Sequence, residues 1–553
     1  VTAPDSSPSL RRDASGPARW GTCAAVAGIW LIFSAWSFCR VPIPGVNEPH
    51  YLAKARHWWN PAWCPGDPFL DSSNPHLVFY ALFGWLTTWL DFHTVAIISR
   101  LIGLLVLSIG WHRLAGTVTG RSIAGLLAAP VFLFLQTLGN FSGEWLVGGI
   151  ESKVLAYGFL FWALGLALQQ SGLKAGLLAG LAVSFHPLVG IWGLIAFSLA
   201  LIREWESRRR SPAVDGNLLP VRTPVRQIVP GILACLLVSL PGVISAVATL
   251  KSLAPKLDLI ATQLQVGDRL AHHLDPMRFP KSAYVYWGGM ILVWRLLLLL
   301  RSLLSPEASR VQQQRQLRWQ LFVGAAIVIA LVGVAVGYGP RPLSQMPGMA
   351  WRSWLLKFYP FRLGDLLVPV ALSFTTVSVL LALWHIGTVQ NRSLVHHARL
   401  AALWLIMALA GFSIPFPDEN PSRLSPAEQA DWIAACHWLR DHTPPEALVY
   451  ACDSGWAVKW FAERPEYVNF KDMPQDTPAL IDWNRRLWTI ADWRIAAMSD
   501  NAVQPKELVE LRKKTGIDYL LVGRFGPIQA RPVYQGTHFR IIRTIPAATA
   551  ESP

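Results

Sequence analysis

The chain has 553 residues, of which 52% are apolar and only 15% charged, and its mean hydropathy is positive. A soluble globular domain carries about 25% charged residues, so composition excludes a wholly soluble protein and points to a membrane protein with room for soluble parts. The formal charge of +15 lies largely in short arginine-rich loops between apolar segments, where positive-inside topology accounts for it and nucleic acid is not required as a partner.

The polar segment 1–19, with Arg11, Arg12 and Arg19, precedes an apolar run that no small-residue cleavage site follows, which predicts an uncleaved first helix. Segments of spanning length follow near 20–39, 94–112, 122–138, 154–169, 174–187, 188–203, 227–249, 283–304, 319–338, 364–386 and 398–415. They predict a polytopic α-helical domain over 20–415 with about eleven transmembrane helices. The 174–203 run reads as one long span or as a hairpin. The shorter stretch 76–90, "HLVFYALFGWLTTWL", is expected to lie along the interface. The 27 tryptophans suit interfacial belts.

With the N-terminus cytoplasmic, that side receives Arg113, Arg121, Lys174, Arg203, Arg208 to Arg210, Arg222, Arg226, Arg301, Arg310, Arg315, Arg318, Arg392 and Arg399. The opposite, outer side receives loop 40–93, loop 139–153, the tip at His186 and Pro187, loops 250–282 and 339–363, and the C-terminal region. From 416 to 553 the composition changes. Ser425 and Pro426 before an amphipathic run signal a helix start. "ALVYAC", "GIDYLLVG" and "HFRIIRTI" read as strands, and "PKELVELRKKT" as a helix. These elements predict a small extracytoplasmic α/β domain. No internal repeat is visible. Among the six cysteines no CxxC spacing suggests zinc, and Cys436 and Cys452 could pair in an extracytoplasmic domain.

Five polar clusters share the predicted outer side. In "GVNEPHYLAKARHWWN", Glu48 is either a hydrated loop charge or a partly desolvated base, with His50 beside it. In "NFSGEWLVGGIESKVLAY", Glu144, Glu151 and Lys153 lie between glycines that permit close backbone approach, or serve as snorkelling boundary charges. His186 is a core histidine or a site residue. His272, His273 and Asp275 in "DRLAHHLDPMRFP" could hold a divalent metal or a phosphate-rich ligand. Arg352, Lys357, Arg362 and Asp365 in "WRSWLLKFYPFRLGDLLVPV" suit either a phosphate or an aromatic-basic helix anchor, with Arg362 and Asp365 neutralising each other.

An outer loop opening on "NEPHY", a second acidic position in "GGIESK", a late basic residue in "FYPFRLGD" and a C-terminal α/β domain together resemble the GT-C superfamily of integral-membrane glycosyltransferases. That group includes protein mannosyltransferases, aminoarabinose transferases and oligosaccharyltransferase catalytic subunits. The stretch from "WLRDHTPP" to "VNFKDMP" also resembles the C-terminal region of bacterial membrane proteins of this kind. The resemblance implies transfer of a sugar from a polyprenyl-phosphate donor to an acceptor at the outer face of a bacterial plasma membrane. Glu48 matches the general base, and Glu151, or else Glu144, matches the second acidic position for acceptor or metal. Arg362 matches a ligand of the donor phosphate, with Lys357 or Arg352 assisting and the histidines positioning phosphate or acceptor. A divalent metal on Glu48 and Glu151 is a further implication. Asn47 stands where the family motif usually has a second acid, which favours a single-base role for Glu48. The alternatives are a transporter or flippase of a lipid-linked or polar substrate, and a non-catalytic scaffold for envelope assembly.

Overall fold

The computed structural model describes residues 17–138, 140–210, 225–304 and 309–545. The arginines of the N-terminal tail (Arg11, Arg12) and Arg222 lie outside the described residues, as do the side chains of Arg19, Arg208, Arg210 and Arg226.

The chain is a polytopic helical membrane protein with a small C-terminal α/β domain. It opens with α1 (Pro17–Arg40), the short helices α2 (Glu48–Trp59) and α3 (Leu77–Gly84) of the 40–93 segment, then α4 (Phe92–Thr119), α5 (Ala124–Leu138) and α6 (Ser152–Leu168). Next come α7 (Gly172–Phe185), α8 (Pro187–Arg210), α9 (Val225–Ala248), α10 (Pro255–Gln263) and the single turn α11 (Ala271–Leu274). The membrane part ends with α12 (Lys281–Leu304), α13 (Arg310–Gly337), α14 (Met349–Leu356), α15 (Arg362–Val389) and α16 (Leu394–Ser413). Each expected apolar segment is a helix. Among the described residues, 8 are long and apolar enough to cross a membrane, whereas α5, α6 and α7 are apolar but shorter. α6 packs between α4 and α7, α5 packs against α15 and α16, and both are largely buried, whereas α7 packs on α6 and α9 and keeps Leu173 and Leu177 exposed. The 174–203 run is two helices broken at His186, because Pro187 has no N–H to continue the ladder and instead begins α8.

α9, α12 and α16 carry exposed leucines and isoleucines such as Leu237, Leu299 and Ile406. In a membrane protein that surface is solvated by lipid tails. The 76–90 stretch forms α3 and a following turn of 3-10 helix, with Trp85 and Trp89 exposed, as interfacial tryptophans are.

The C-terminal domain contains α17 (Pro426–His442), α18 (Val458–Phe461), α19 (Thr477–Ala497) and α20 (Pro505–Thr515) around four strands. These are β1 (Val449–Ala451), β2 (Tyr519–Val522), β3 (Tyr534–Gln535) and β4 (Arg540–Arg543), in the order β1-β2-β4-β3. β1 is parallel to β2, and β4 is antiparallel to both its neighbours. Ser425 and Glu428 form a reciprocal capping box at the start of α17, as the sequence signal predicts. Cys436 and Cys452 are buried free thiols and do not pair. The domain packs on the 40–93 segment: Trp460 stacks on Phe92 with centroids 4.9 Å apart, and the Trp456 indole donates to the Val46 carbonyl at 3.2 Å.

Candidate functional site

α2 is the element around which the site forms. Successive residues of an α-helix are about 100° apart, so Asn47, His50 and Tyr51 share one face and Glu48 points aside. That face lines a cavity of about 1730 Å³. Glu48 does not line it. The Glu48 carboxylate is fully buried and accepts from Arg100 Nε at 2.6 Å, Arg100 Nη2 at 2.8 Å, Gly45 N at 2.6 Å and Ile150 N at 2.8 Å. Gly149 lets the backbone come this close, since a Cβ there would lie 3.1 Å from Glu48 Cδ. Both oxygens are occupied, and the group ties α2 to α4 and to the 140–151 loop.

The 140–151 loop is pinned from beneath. Asp365 accepts from the backbone N–H groups of Phe141 (2.5 Å), Ser142 (2.9 Å) and Glu144 (2.9 Å). Gln136 accepts from Leu146 and Val147. Asp365 therefore holds the loop rather than neutralising Arg362. At Gly143, φ is +77° and a Cβ would meet His273 at 2.8 Å.

So held, the loop presents Glu144, Glu151 and Lys153 to the cavity. Glu151 accepts from Asn47 Nδ2 at 2.7 Å and lies 3.3 Å from Lys153 Nζ. Lys153 lies 3.9 Å from Glu144 and 3.9 Å from the centroid of the Trp145 ring. Arg362 opens α15 from the other side, 3.2 Å from Glu144, with Nη1 donating to His186 Nε2 at 2.7 Å and the guanidinium over the Tyr359 ring. Glu144 Oε1 and Arg362 Nε are buried without a hydrogen-bond partner, as are Asp418 Oδ2, His76 Nδ1 and Gln265 Oε1 on the same cavity. Several polar atoms around one cavity thus retain bonding capacity that the protein itself does not use.

His50, His272, His273 and Lys357 also line the cavity. His273 Nδ1 is hydrogen-bonded to the Ser142 carbonyl at 2.6 Å. Asp275 and Arg352 are elsewhere. Asp275 accepts from Arg341 Nε at 2.7 Å and from Met277 N, which fixes a turn, and Arg352 donates to the carbonyls of Val336, Tyr338 and Pro347. Both are loop ties, each satisfied by local partners that the sequence does not reveal.

The sequence reading missed Tyr51, His76, Asp418, Asn469 and Lys471, which also line the cavity. Burial, with Arg362 and His50 nearby, drives His76 down to about 3, so it is a neutral ring. Burial pushes Asp418 up to about 6, helped by Glu151, and burial beside Arg269 lowers Lys471 to about 8. Tyr51 shares the face of α2 that holds Asn47 and His50, and Asn469 and Lys471 lie in the stretch ending "VNFKDMP", whereas His76 and Asp418 lie between longer helices and carry no motif of their own.

The remaining walls are apolar. Leu188, Ile191, Ile195 and Leu199 of α8, Val243 and Val247 of α9, and Val328, Val332 and Val336 of α13 run away from the charged end. Val247, Val328 and Val332 are also among the exposed apolar residues, so this wall is continuous with the lipid-facing surface. The cavity joins an apolar groove to a cationic, hydrogen-bonding head.

Among the described residues, no group of three or more His, Cys, Asp or Glu is placed to hold a metal ion. Arg100 occupies Glu48, and Asn47 and Lys153 engage Glu151. A divalent ion shared by Glu48 and Glu151 does not fit these residues.

A domain of unknown function (DUF6798) matches residues 430–490, from α17 into α19. No curated protein matches the chain. Among solved structures, the Archaeoglobus fulgidus oligosaccharyltransferase, a crystal structure with zinc and sulfate, is similar at 13% identity and a TM-score of 0.39, over 90% of this chain and 68% of that one. ArnT from Cupriavidus metallidurans in the apo state is similar at 13% identity and a TM-score of 0.37, over 96% of this chain and 99% of that one. Both belong to the GT-C superfamily.

Proposed function

We propose that the chain is an integral-membrane glycosyltransferase that moves a sugar from a polyprenyl-phosphate donor to an acceptor at the outer face of a bacterial plasma membrane. In this reading the N-terminus is cytoplasmic and the C-terminal domain extracytoplasmic. The observation that carries it is the amphipathic cavity: an apolar groove open along α8, α9 and α13 ends at Arg362, Lys357 and Lys153. A lipid monophosphate has the matching shape, an acyl-like chain ending in an anion. Arg362 offers a planar fork for phosphate oxygens, with Nη1 on His186 and Nε 3.2 Å from Glu144 holding the guanidinium in place. As the bond from the anomeric carbon to the phosphate oxygen breaks, charge develops on that phosphate, where these cations stabilise it. Glu151 and Asn47, bonded to each other, suit the hydroxyls of a sugar. Glu48, enclosed by Arg100, is a strut of the site.

The test is turnover in proteoliposomes. Purified full-length chain is given a panel of polyprenyl-monophosphate hexoses and pentoses with a cell-envelope extract as acceptor source, and released polyprenyl phosphate is measured. Release is expected with at least one donor, and Arg362→Ala should lower kcat/KM about 10- to 100-fold, the range for losing a charged hydrogen bond. Wild-type protein that releases polyprenyl phosphate from no donor would overturn the reading.

A further inference from the structure

The glycosyltransferase reading needs a group to take the acceptor's proton; neither Glu48 nor Glu151 is free to do so, and Glu144 is paired with Arg362 at 3.2 Å. Glu48 lies outside the cavity. Glu151 has one oxygen on Asn47 Nδ2 at 2.7 Å and the other 3.3 Å from Lys153 Nζ, so both are engaged. Two residues after Glu48 on the same helix, His50 is differently placed. Its Nδ1 is 3.2 Å from Asp472 Oδ1. A carboxylate only accepts hydrogen bonds, so this contact puts the ring proton on Nδ1 and leaves Nε2 as a lone-pair acceptor. Nε2 has no hydrogen-bond partner among the described residues, and His50 lines the cavity with 21% of its side chain exposed.

Asp472 belongs to the C-terminal domain, and it is itself fixed. Its Oδ2 is 2.9 Å from Lys459 Nζ, which also binds Glu466 at 2.5 Å and Asp67 of the outer loop at 3.2 Å. Lys459, Asp67 and Glu466 are buried. One buried ammonium thus joins three carboxylates from two parts of the chain. The imidazole lies against the Phe69 ring, with centroids 4.3 Å apart, which sets its second angle. The charged groups facing it are Asp472 from the C-terminal domain, Lys54 from its own helix and Lys471 beside Asp472, and burial makes it a neutral ring near pH 7.

We infer that His50 is the proton acceptor of this site and that Asp472, supplied by the C-terminal domain, is its positioning residue. The proposal rests on the glycosyltransferase reading. The acceptor X–H gives its proton to His50 Nε2 as X bonds to the anomeric carbon. The bond from that carbon to the phosphate oxygen breaks with its electron pair, and polyprenyl phosphate leaves. The imidazolium is stabilised by Asp472 and returns its proton to solvent or to the departing phosphate. A donor-binding site built by the membrane helices is thereby completed by a base whose tautomer the docked domain fixes.

The experiment is transfer by the full-length chain in proteoliposomes with a polyprenyl-monophosphate donor accepted by the wild type. His50→Ala should lose roughly 100-fold or more in kcat with little change in donor KM, and added imidazole should restore about tenfold of it. Rescue shows that the variant is folded. Asp472→Asn, which favours the wrong tautomer, should lower kcat at least about tenfold, and imidazole should not rescue it. Transfer that survives His50→Ala, or a loss in His50→Ala that imidazole does not rescue while Tm and donor KM are unchanged, would overturn the assignment alone. A wild-type chain that transfers no sugar overturns the glycosyltransferase reading and this one with it.

Discussion

Glu48→Gln tests whether the most conspicuous acid in the sequence supports the structure or performs the chemistry. The carboxylate and Arg100 are both fully buried, and its two oxygens take four donors: Arg100 Nε, Arg100 Nη2, Gly45 N and Ile150 N. Glutamine has one acceptor oxygen and an NH2 group in place of the other. Whichever way the amide turns, its NH2 faces two donors, either Arg100 Nη2 with Gly45 N or Arg100 Nε with Ile150 N. Arg100 keeps one amide oxygen and the carbonyls of Val41 and Pro42, all of them uncharged acceptors. Removing one partner of a buried ion pair costs about 3–5 kcal/mol. Thermal unfolding in nanodiscs should show a fall in Tm of several degrees. The double variant Glu48→Gln/Arg100→Met should be less unstable than the two single effects summed, by about 2 kcal/mol. Turnover per folded molecule should fall far less than for His50→Ala. A Glu48→Gln protein with wild-type Tm and abolished turnover would refute the reasoning and return Glu48 to the chemistry.

Asp418 has its carboxyl raised to about 6 by burial, so its protonated form is favoured in the folded chain. That contribution is fully present below about pH 4, near the unfolded value, and is lost as pH rises through 6. Asp418→Asn should therefore raise Tm relative to wild type at pH 7.5, with the difference shrinking to nothing towards pH 4; a difference that does not vary with pH contradicts the burial argument. Ile195→Trp places an indole in the apolar groove. It should raise KM for a long-chain polyprenyl-phosphate donor roughly tenfold, the worth of one well-packed apolar group, and leave a short-chain water-soluble donor unaffected. Equal effects on both donors would mean that the lipid chain does not use the groove.

Much of this architecture was legible because it rests on long-range pattern. Every apolar segment became a helix, and the three called strands and the last helix of the C-terminal domain appear where residue type and capping predict them. The bounds of α5, α6 and α7 match their apolar segments to within about two residues; what hydropathy does not say is whether so short a helix meets lipid or protein. Within the site, the 140–157 and 351–370 stretches yielded Glu144, Glu151, Lys153, Lys357 and Arg362 on one cavity. Asp365, Arg352 and Asp275 were misread because a charge beside the site and a charge that holds a loop look alike until partners are known. For Glu48 the signal was present: once 47–51 is placed on a helix, Asn47 and His50 share a face that Glu48 leaves. Asp472 lies 422 residues from His50 in sequence, and its own stretch, "VNFKDMP", does not say that it meets α2.

The position of α2 explains why so many roles converge on it. Its buried face, with Glu48, Leu52 and Ala55, is locked to the bundle, while Asn47 reaches Glu151 and His50 reaches Asp472. A half-turn displacement of this helix would break the Arg100 pair, the Asn47 bond and the His50 dyad together. The site therefore requires a rigid α2 more than it requires any one acid at its start. Rigidity is supplied from both sides, by Arg100 within the membrane domain and by Lys459 within the C-terminal domain. That domain also provides Lys471 and Asn469 to the cavity wall. It is a structural part of the site, and loosening it at Lys459 should impair the chemistry at His50 before it disturbs the membrane helices.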